Sequence, residues 1–136
     1  MDNFPNELFF GNLQQSSSRD DLHTLFNRTK AEKSPKNFLY IQNKATGEFD
    51  IYSRHGLCKI IKFKMPRSKR DQNWNRTSCG YVFIVTDPNS VGGLLALSKK
   101  IFYKDTKTGT FHAIDIKRID PDLRANAERN HNNRLF

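Results

Sequence analysis

Cysteine is scarce in this chain: Cys58 and Cys79 are the two in 136 residues. Each lies within an apolar stretch, and a pair this sparse does not make the disulfide framework of a small secreted domain. We therefore expect buried free thiols and a reducing compartment, the cytoplasm or the nucleus. The sequence also lacks a run of about 18 apolar residues, and it begins with neither a signal peptide nor an arginine-rich transit peptide, so we expect no membrane partner.

The motifs of several enzyme classes are missing as well. There is no His-x-Glu paired with Pro-Cys-x-x-Cys, no Gly-x-x-x-x-Gly-Lys phosphate loop and no Gly-x-Ser-x-Gly nucleophile turn. The four histidines are scattered, with no second ligand at a spacing suited to a metal ion: His23, His55, His112 and His131. We expect no catalytic activity, no metal site and no cofactor.

What the chain does contain is aromatic and basic. Aromatic residues reach 12%, with 11 phenylalanines, and hydrophobic residues reach 36%. This is enough for one packed domain, and it is too rich for a disordered basic tail. The net charge is +9 and the sequence pI is about 9.8, which favours a polyanionic partner. Because no basic amphipathic helix stands out, nucleic acid is favoured over an acidic membrane surface.

Apolar alternation and turn residues divide the chain in the order β-α-(hairpin)-β-β-α-β. The predicted strands cover residues 8–13, 37–41, 48–52, 57–65, 80–85, 101–103 and 111–119, and the predicted helices contain residues 22–26 and 88–97. This order predicts an α+β, ferredoxin-like sandwich, in which one antiparallel sheet carries two helices on one face and an extra hairpin is inserted. The opposite face of such a sheet is open to a ligand.

Two segments resemble the signature motifs of RNA-recognition motifs. Residues 8–13 read Leu-Phe-Phe-Gly-Asn-Leu, like the family's hexamer on its first strand, and residues 79–86 read Cys-Gly-Tyr-Val-Phe-Ile-Val-Thr, like its octamer on the third. The resemblance implies an RNA-recognition-motif domain at 1–119, with an insertion at about 29–55, and then a short helix or a disordered extension at 120–136. Such domains are commonly one module among several, so we expect a longer protein.

Strand alternation indicates the same binding surface without the resemblance. If Leu8 and Phe10 point toward the helices, then Phe9 points to the open face. Tyr81 and Phe83 reach that face by the same alternation. Stacking a base on such a ring is worth roughly 1–3 kcal/mol. The three rings are therefore the predicted platform for single-stranded RNA, unless another part of the chain or a protein partner covers them.

Basic residues are concentrated beside this platform, since residues 59–76 hold seven Lys or Arg and one Asp. In the RNA-recognition family, the loop between strands two and three often closes over RNA. The resemblance therefore implies phosphate contacts from the basic residues of this loop and stacking by its tryptophan. Together with the hexamer's asparagine and the strand lysines, the remaining predicted RNA-binding residues are Asn12, Lys62, Lys64, Arg67, Lys69, Arg70, Trp74, Arg76 and Lys117.

Two departures from the family's pattern favour a different use of the same surface. Cys79 stands where the family usually has a basic residue that pairs with phosphate, and Thr86 stands where it usually has an aromatic one. With the long insertion, these departures motivate an alternative, a protein-interaction module that docks a partner or a second copy through the sheet or the inserted hairpin. Duplex DNA has little weight, because the chain has no basic recognition helix.

Overall fold

The strands of this protein form two sheets. A computed structural model describes residues 6–14, 17–66 and 80–119, and within them there are eight strands and two α-helices. In chain order they are β1 (Glu7–Gly11), α1 (Arg19–Phe26), β2 (Leu39–Gln42), β3 (Phe49–Ser53), β4 (Lys62–Lys64), β5 (Val82–Val85), α2 (Val91–Ala96), β6 (Ile101–Lys104), β7 (Phe111–Ala113) and β8 (Asp115–Arg118). The first sheet has the order β4-β5-β1-β8 and the second the order β3-β2-β6-β7.

The α+β class is as expected, but the single-sheet ferredoxin-like sandwich is wrong, because the described strands divide equally between two antiparallel sheets. The predicted hairpin is present as β2 and β3, and β2 also pairs along its other edge with β6. The strand predicted at 111–119 is divided near Ile114, so that β7 pairs with β6 and β8 pairs with β1. An open strand edge attracts another strand, and here two hairpins cover each other's edges and build the second sheet.

Both helices are preceded by capping residues. The Ser18 side chain accepts a hydrogen bond from the Asp21 N–H at 3.1 Å at the start of α1, and Asp87 caps a 3₁₀ turn at Pro88–Ser90 that leads into α2. The apolar residues that the helices bury have helical spacing: Leu22, Leu25, Phe26, Val91 and Leu94. Each helix therefore packs one apolar stripe against the sheets.

One hydrophobic core contacts the inner faces of both sheets. Leu8, Phe10 and Ile84 of the first sheet are fully buried in it, and so are Leu39 and Ile101 of the second. Because side chains alternate along a strand, the other face of each sheet is directed away from this core. The fold therefore presents two outer sheet faces.

The strand predicted at 57–65 is shorter than expected, because regular pairing starts with β4. Cys58 forms a bridge to the residue that follows α1, and burial raises the pKa of its thiol above the usual range. Phe63 is buried, whereas Ile61 is 57% exposed. The Ile61 N–H donates to the Val85 carbonyl oxygen at 2.8 Å, where the chain enters the sheet at its edge.

Leu39→Ala tests whether both sheets depend on this shared core. Leu39 is fully buried in the second sheet, so its truncation should lower the free energy of unfolding by about 2–5 kcal/mol in urea denaturation. Amide hydrogen exchange should accelerate in β1 and β5 as well as in β2 and β6. Ile51→Ala is the control, because Ile51 lies in the same sheet but is 42% exposed. Faster exchange confined to the second sheet would contradict a single core.

Candidate nucleic-acid interface

Three aromatic rings meet on the outer face of the first sheet. The register of β1 and β5 places Phe9 directly opposite Phe83. The ring centroids lie 5.6 Å apart for Phe9 and Tyr81, 5.9 Å for Phe9 and Phe83, and 5.8 Å for Tyr81 and Phe83. Leu8 and Phe10 point the other way and are fully buried, so the predicted alternation is confirmed. We call these three rings the first aromatic face.

The three rings differ in how much of each one solvent reaches. Phe9 and Tyr81 are half-buried, whereas Phe83 is 8% exposed. Phe9 stacks on Tyr81 at 27° and meets Phe83 edge to face at 61°, two arrangements that aromatic pairs prefer. A base can therefore stack on Phe9 or Tyr81, and Phe83 mainly supports those two rings from within the sheet.

A glycine sets the position of the Phe9 ring. Gly11 lies two residues further along β1, so it shares the outer face with Phe9. A Cβ atom built on Gly11 would lie 2.6 Å from Cε1 of Phe9. The ring thus lies directly over the Gly11 backbone, and a side chain at this position would displace it. This steric role of the hexamer's glycine was not apparent from the sequence.

Lysines flank the first aromatic face on both sides. On β4, Lys64 lies opposite Phe83. On β8, Lys117 lies opposite Phe9, and its Nζ is 3.2 Å from an Asp115 carboxylate oxygen. Strand pairing therefore places both lysines on the outer side of the sheet. The lysine charges are therefore beside the rings on which bases would stack.

A buried carboxylate lies on the same side of the first sheet. The Glu7 side chain is 1% exposed, and its Oε2 atom lies 3.6 Å from the Lys64 Nζ. Charged side chains are seldom buried this fully unless they are paired, and no local sequence pattern marks Glu7 for burial. Lys62 lies on the same side of β4 and is exposed. The Lys64 charge therefore stabilises a carboxylate inside the protein.

Asn12 lies at the corner between the two sheets. It has a φ of 61°, its side-chain amide donates to the Ala113 carbonyl oxygen at 2.7 Å, and its own carbonyl oxygen accepts from the Tyr103 hydroxyl at 3.1 Å. Burial, together with the nearby Asp105 carboxylate, raises the pKa of Tyr103 to about 12. The hydroxyl therefore keeps its proton at neutral pH. Asn12 has this structural role, and its contact with RNA stays a prediction.

The predicted basic loop lies outside the described residues. This applies to Arg67, Lys69, Arg70, Trp74 and Arg76, and also to Cys79 and the extension at 120–136. The other departure from the family's pattern, Thr86, is fully buried, and its hydroxyl donates to the Lys59 carbonyl oxygen at 2.8 Å. A hydrogen bond thus stabilises the position where the family packs an aromatic ring.

In the part of the chain that the structure describes, no three His, Cys, Asp or Glu side chains form a group that could hold a metal ion. Within the same residues, no helix is both long enough and apolar enough to cross a membrane.

Comparison with known proteins finds no relative of this chain: no protein-family model, no curated protein and no solved structure matches it significantly. The resemblance to RNA-recognition motifs therefore stays a prediction. It depends on the two motifs themselves, whose described residues overlap β1 and β5, the two central strands of the first sheet.

Lys64→Met should lower the free energy of unfolding, because it removes the lysine charge that stabilises the buried Glu7 carboxylate. We expect a loss of about 1–3 kcal/mol in urea denaturation, less than for a fully buried ion pair because Lys64 is 36% exposed. Lys44→Met, at an exposed position in the loop between β2 and β3, is the control and should change stability by less than about 0.5 kcal/mol. Equal losses in the two variants would refute the structural role of the Lys64–Glu7 pair.

Proposed function

We propose that this chain binds single-stranded RNA on the outer face of the first sheet. In this proposal, bases stack on Phe9 and Tyr81, and phosphates are bound by Lys62, Lys64 and Lys117. The observation that carries the proposal is the contact among three aromatic rings, with lysines opposite them on the strands at either side. Ring faces accept any base, and lysines bind the phosphate backbone, which together are the usual components of a single-strand site.

The charges around the rings are compatible with an anionic ligand. Lys117 is 52% exposed where it pairs with Asp115, and ion pairs this exposed contribute only about 0–1 kcal/mol. A phosphate can therefore compete for this lysine at little cost. The chain as a whole carries a net charge of +9, which favours the approach of a polyanion from a distance.

A protein-docking role is the second candidate, for a partner or for a second copy of this chain. It is favoured by two exposed apolar side chains on β3, Ile51 at 42% and Tyr52 at 45%. Consecutive residues of a strand point to opposite faces, so these two side chains do not join into one patch. For this reason RNA binding is the stronger proposal.

We also propose that the protein has no catalytic activity and works in the cytoplasm or the nucleus. Cys58 is a buried free cysteine, which suits a reducing compartment. Both statements derive mainly from what the sequence lacks, and they stay predictions.

Phe9→Ala and Tyr81→Ala should each weaken RNA binding, because each removes a ring on which a base stacks. Fluorescence anisotropy with a labelled single-stranded RNA of random sequence measures the affinity at two salt concentrations. We expect each variant to lose roughly 1–3 kcal/mol of binding free energy, about a 5- to 150-fold weaker Kd. For the unmodified protein, affinity should fall steeply as salt rises, because phosphate contacts release counterions.

Tyr52→Ala is the matched control for these two variants. Tyr52 is also an exposed aromatic residue, but it lies on the edge strand β3 of the second sheet and points to the opposite side of that strand from Phe49, so its removal should leave the affinity within about twofold. Gly11→Ala adds a finer test, since the new Cβ should push the Phe9 ring aside and weaken binding with the ring still present.

Absence of salt-sensitive binding, together with a dimeric mass in light scattering, would refute the RNA proposal in favour of protein docking.

A further inference from the structure

The outer face of the second sheet carries another group of aromatic rings. We call them the second aromatic face: Tyr40, Phe49, Phe102 and Phe111. Tyr40 lies opposite Phe102 on the central strands β2 and β6, and the other two rings lie on the flanking strands β3 and β7. All four are half-buried. Leu39 of β2 and Ile101 and Tyr103 of β6, the alternate residues, are buried in the core, so these four rings point away from it.

The two hairpins that build this sheet repeat one another. Residues 39–52 read Leu-Tyr-Ile-Gln-Asn-Lys-Ala-Thr-Gly-Glu-Phe-Asp-Ile-Tyr, and residues 101–114 read Ile-Phe-Tyr-Lys-Asp-Thr-Lys-Thr-Gly-Thr-Phe-His-Ala-Ile. In each loop the first side chain, Asn43 or Asp105, accepts a hydrogen bond from the N–H two residues later, at 2.9 and 2.8 Å. The loop glycines have φ of 76° and 73°. One hairpin geometry therefore occurs twice.

The antiparallel pairing of β2 with β6 relates the two hairpins by an approximate two-fold axis. The ring centroids of Tyr40 and Phe111 lie 4.9 Å apart at 79°, and the equivalent rings, Phe102 and Phe49, lie 4.9 Å apart at 75°. Phe49 and Phe111 stack on each other across the axis at 4.0 Å and 10°. The second aromatic face is thus a symmetric cluster with two equivalent halves.

Charge distinguishes the two halves. Lys104 places its Nζ 5.6 Å from the centroid of the Phe111 ring, a distance at which a cation is attracted to the ring face. The equivalent residue in the other half is Gln42, whose side-chain amide donates to the Gly47 carbonyl oxygen at 3.1 Å. The half formed by Tyr40, Phe111 and Lys104 therefore combines rings with a cation, as the first aromatic face does.

The strands β7 and β8 connect this half to the first aromatic face. Side-chain alternation continues through the junction between β7 and β8. One side carries Phe111, Ala113, Asp115 and Lys117. On the other side, Ile114 is fully buried and Ile116 is 2% exposed. Lys117 lies opposite Phe9. The six-residue step from Phe111 to Lys117 spans roughly 20 Å of extended chain. A single-stranded RNA of several nucleotides can cross this distance. The Asp115 carboxylate lies between the two faces, where the Lys117 ammonium offsets its charge.

We propose that single-stranded RNA bound on the first aromatic face continues along β8 and β7 onto the second aromatic face. There, bases stack on Tyr40 and Phe111, and Lys104 binds a phosphate. This inference rests on the proposed function. RNA is favoured over an apolar protein surface because Lys104 lies beside the Phe111 ring and the exposed hairpin loops carry Lys44 and Lys107, on a chain with a net charge of +9.

The length of the RNA tests this proposal. Anisotropy titrations with labelled uridylate oligomers of about 4 and about 12 nucleotides span the range bound by single-strand modules. The 12-mer should bind at least about 10-fold more tightly than the 4-mer, which the first aromatic face accommodates alone. Tyr40→Ala and Lys104→Gln should each weaken the 12-mer by about 3- to 30-fold and leave the 4-mer within about twofold. Phe9→Ala should weaken both oligomers.

The approximate symmetry of the sheet supplies matched variants. Lys104→Gln makes the cationic half resemble the other half, and Gln42→Lys places a second cation at the equivalent position, so it should strengthen 12-mer binding. Both side chains are exposed, so these variants keep the test valid if Tyr40→Ala unfolds, which thermal denaturation will reveal. Tyr52→Ala is the aromatic control.

The outcomes separate this inference from the proposed function. If Phe9→Ala weakens binding but Lys104→Gln and Gln42→Lys leave 12-mer affinity unchanged, RNA stays on the first sheet and the extension is wrong. If neither oligomer binds, both proposals fail. The second aromatic face could instead mediate self-association. In that case Tyr40→Ala would lower the mass measured by light scattering without any effect on RNA affinity, and this result would also overturn the extension.

Discussion

Ile114 lies where the chain leaves one sheet and enters the other. Its side chain is fully buried, its N–H donates to the Ile101 carbonyl oxygen at 2.9 Å, and its carbonyl oxygen accepts from the Lys99 N–H at 2.8 Å. These bonds satisfy the backbone at the point where β7 and β8 separate, which a buried junction requires. The side-chain alternation passes through unchanged. Both sheets can therefore bury their inner faces in one core and direct their aromatic residues outward.

Short-range patterns were sufficient to predict the first aromatic face. In β1, alternation placed Leu8 and Phe10 in the core and Phe9 outside, and the structure agrees because the helices cover one side of the sheet only. Two of the predicted RNA-binding lysines, Lys64 and Lys117, lie beside the rings. Local patterns did not reveal that Glu7 is buried, because burial of a charge depends on partners that other strands supply.

The second sheet could not be predicted from local sequence patterns, because it depends on pairing between segments far apart in the chain. Leu39 lies opposite Tyr103, and a hairpin's own sequence does not specify which other strand its edge will meet. A signal was nevertheless present. The matched Thr-Gly turns at residues 46–47 and 108–109, each followed two residues after the glycine by a phenylalanine, mark a repeated hairpin. A search for internal repeats would have found both halves of the second aromatic face.

The position of the Phe9 ring over Gly11 has a consequence for the energetics of recognition. A side chain that must become ordered when its ligand arrives loses conformational entropy at that moment, commonly about 0.5–1.5 kcal/mol. Phe9 is already confined by the Gly11 backbone beneath it and by the rings of Tyr81 and Phe83 beside it. Its rotamer is selected during folding, so the stacking energy of an incoming base is not reduced by ordering the ring. The missing methyl group of a glycine thereby makes the site preorganised.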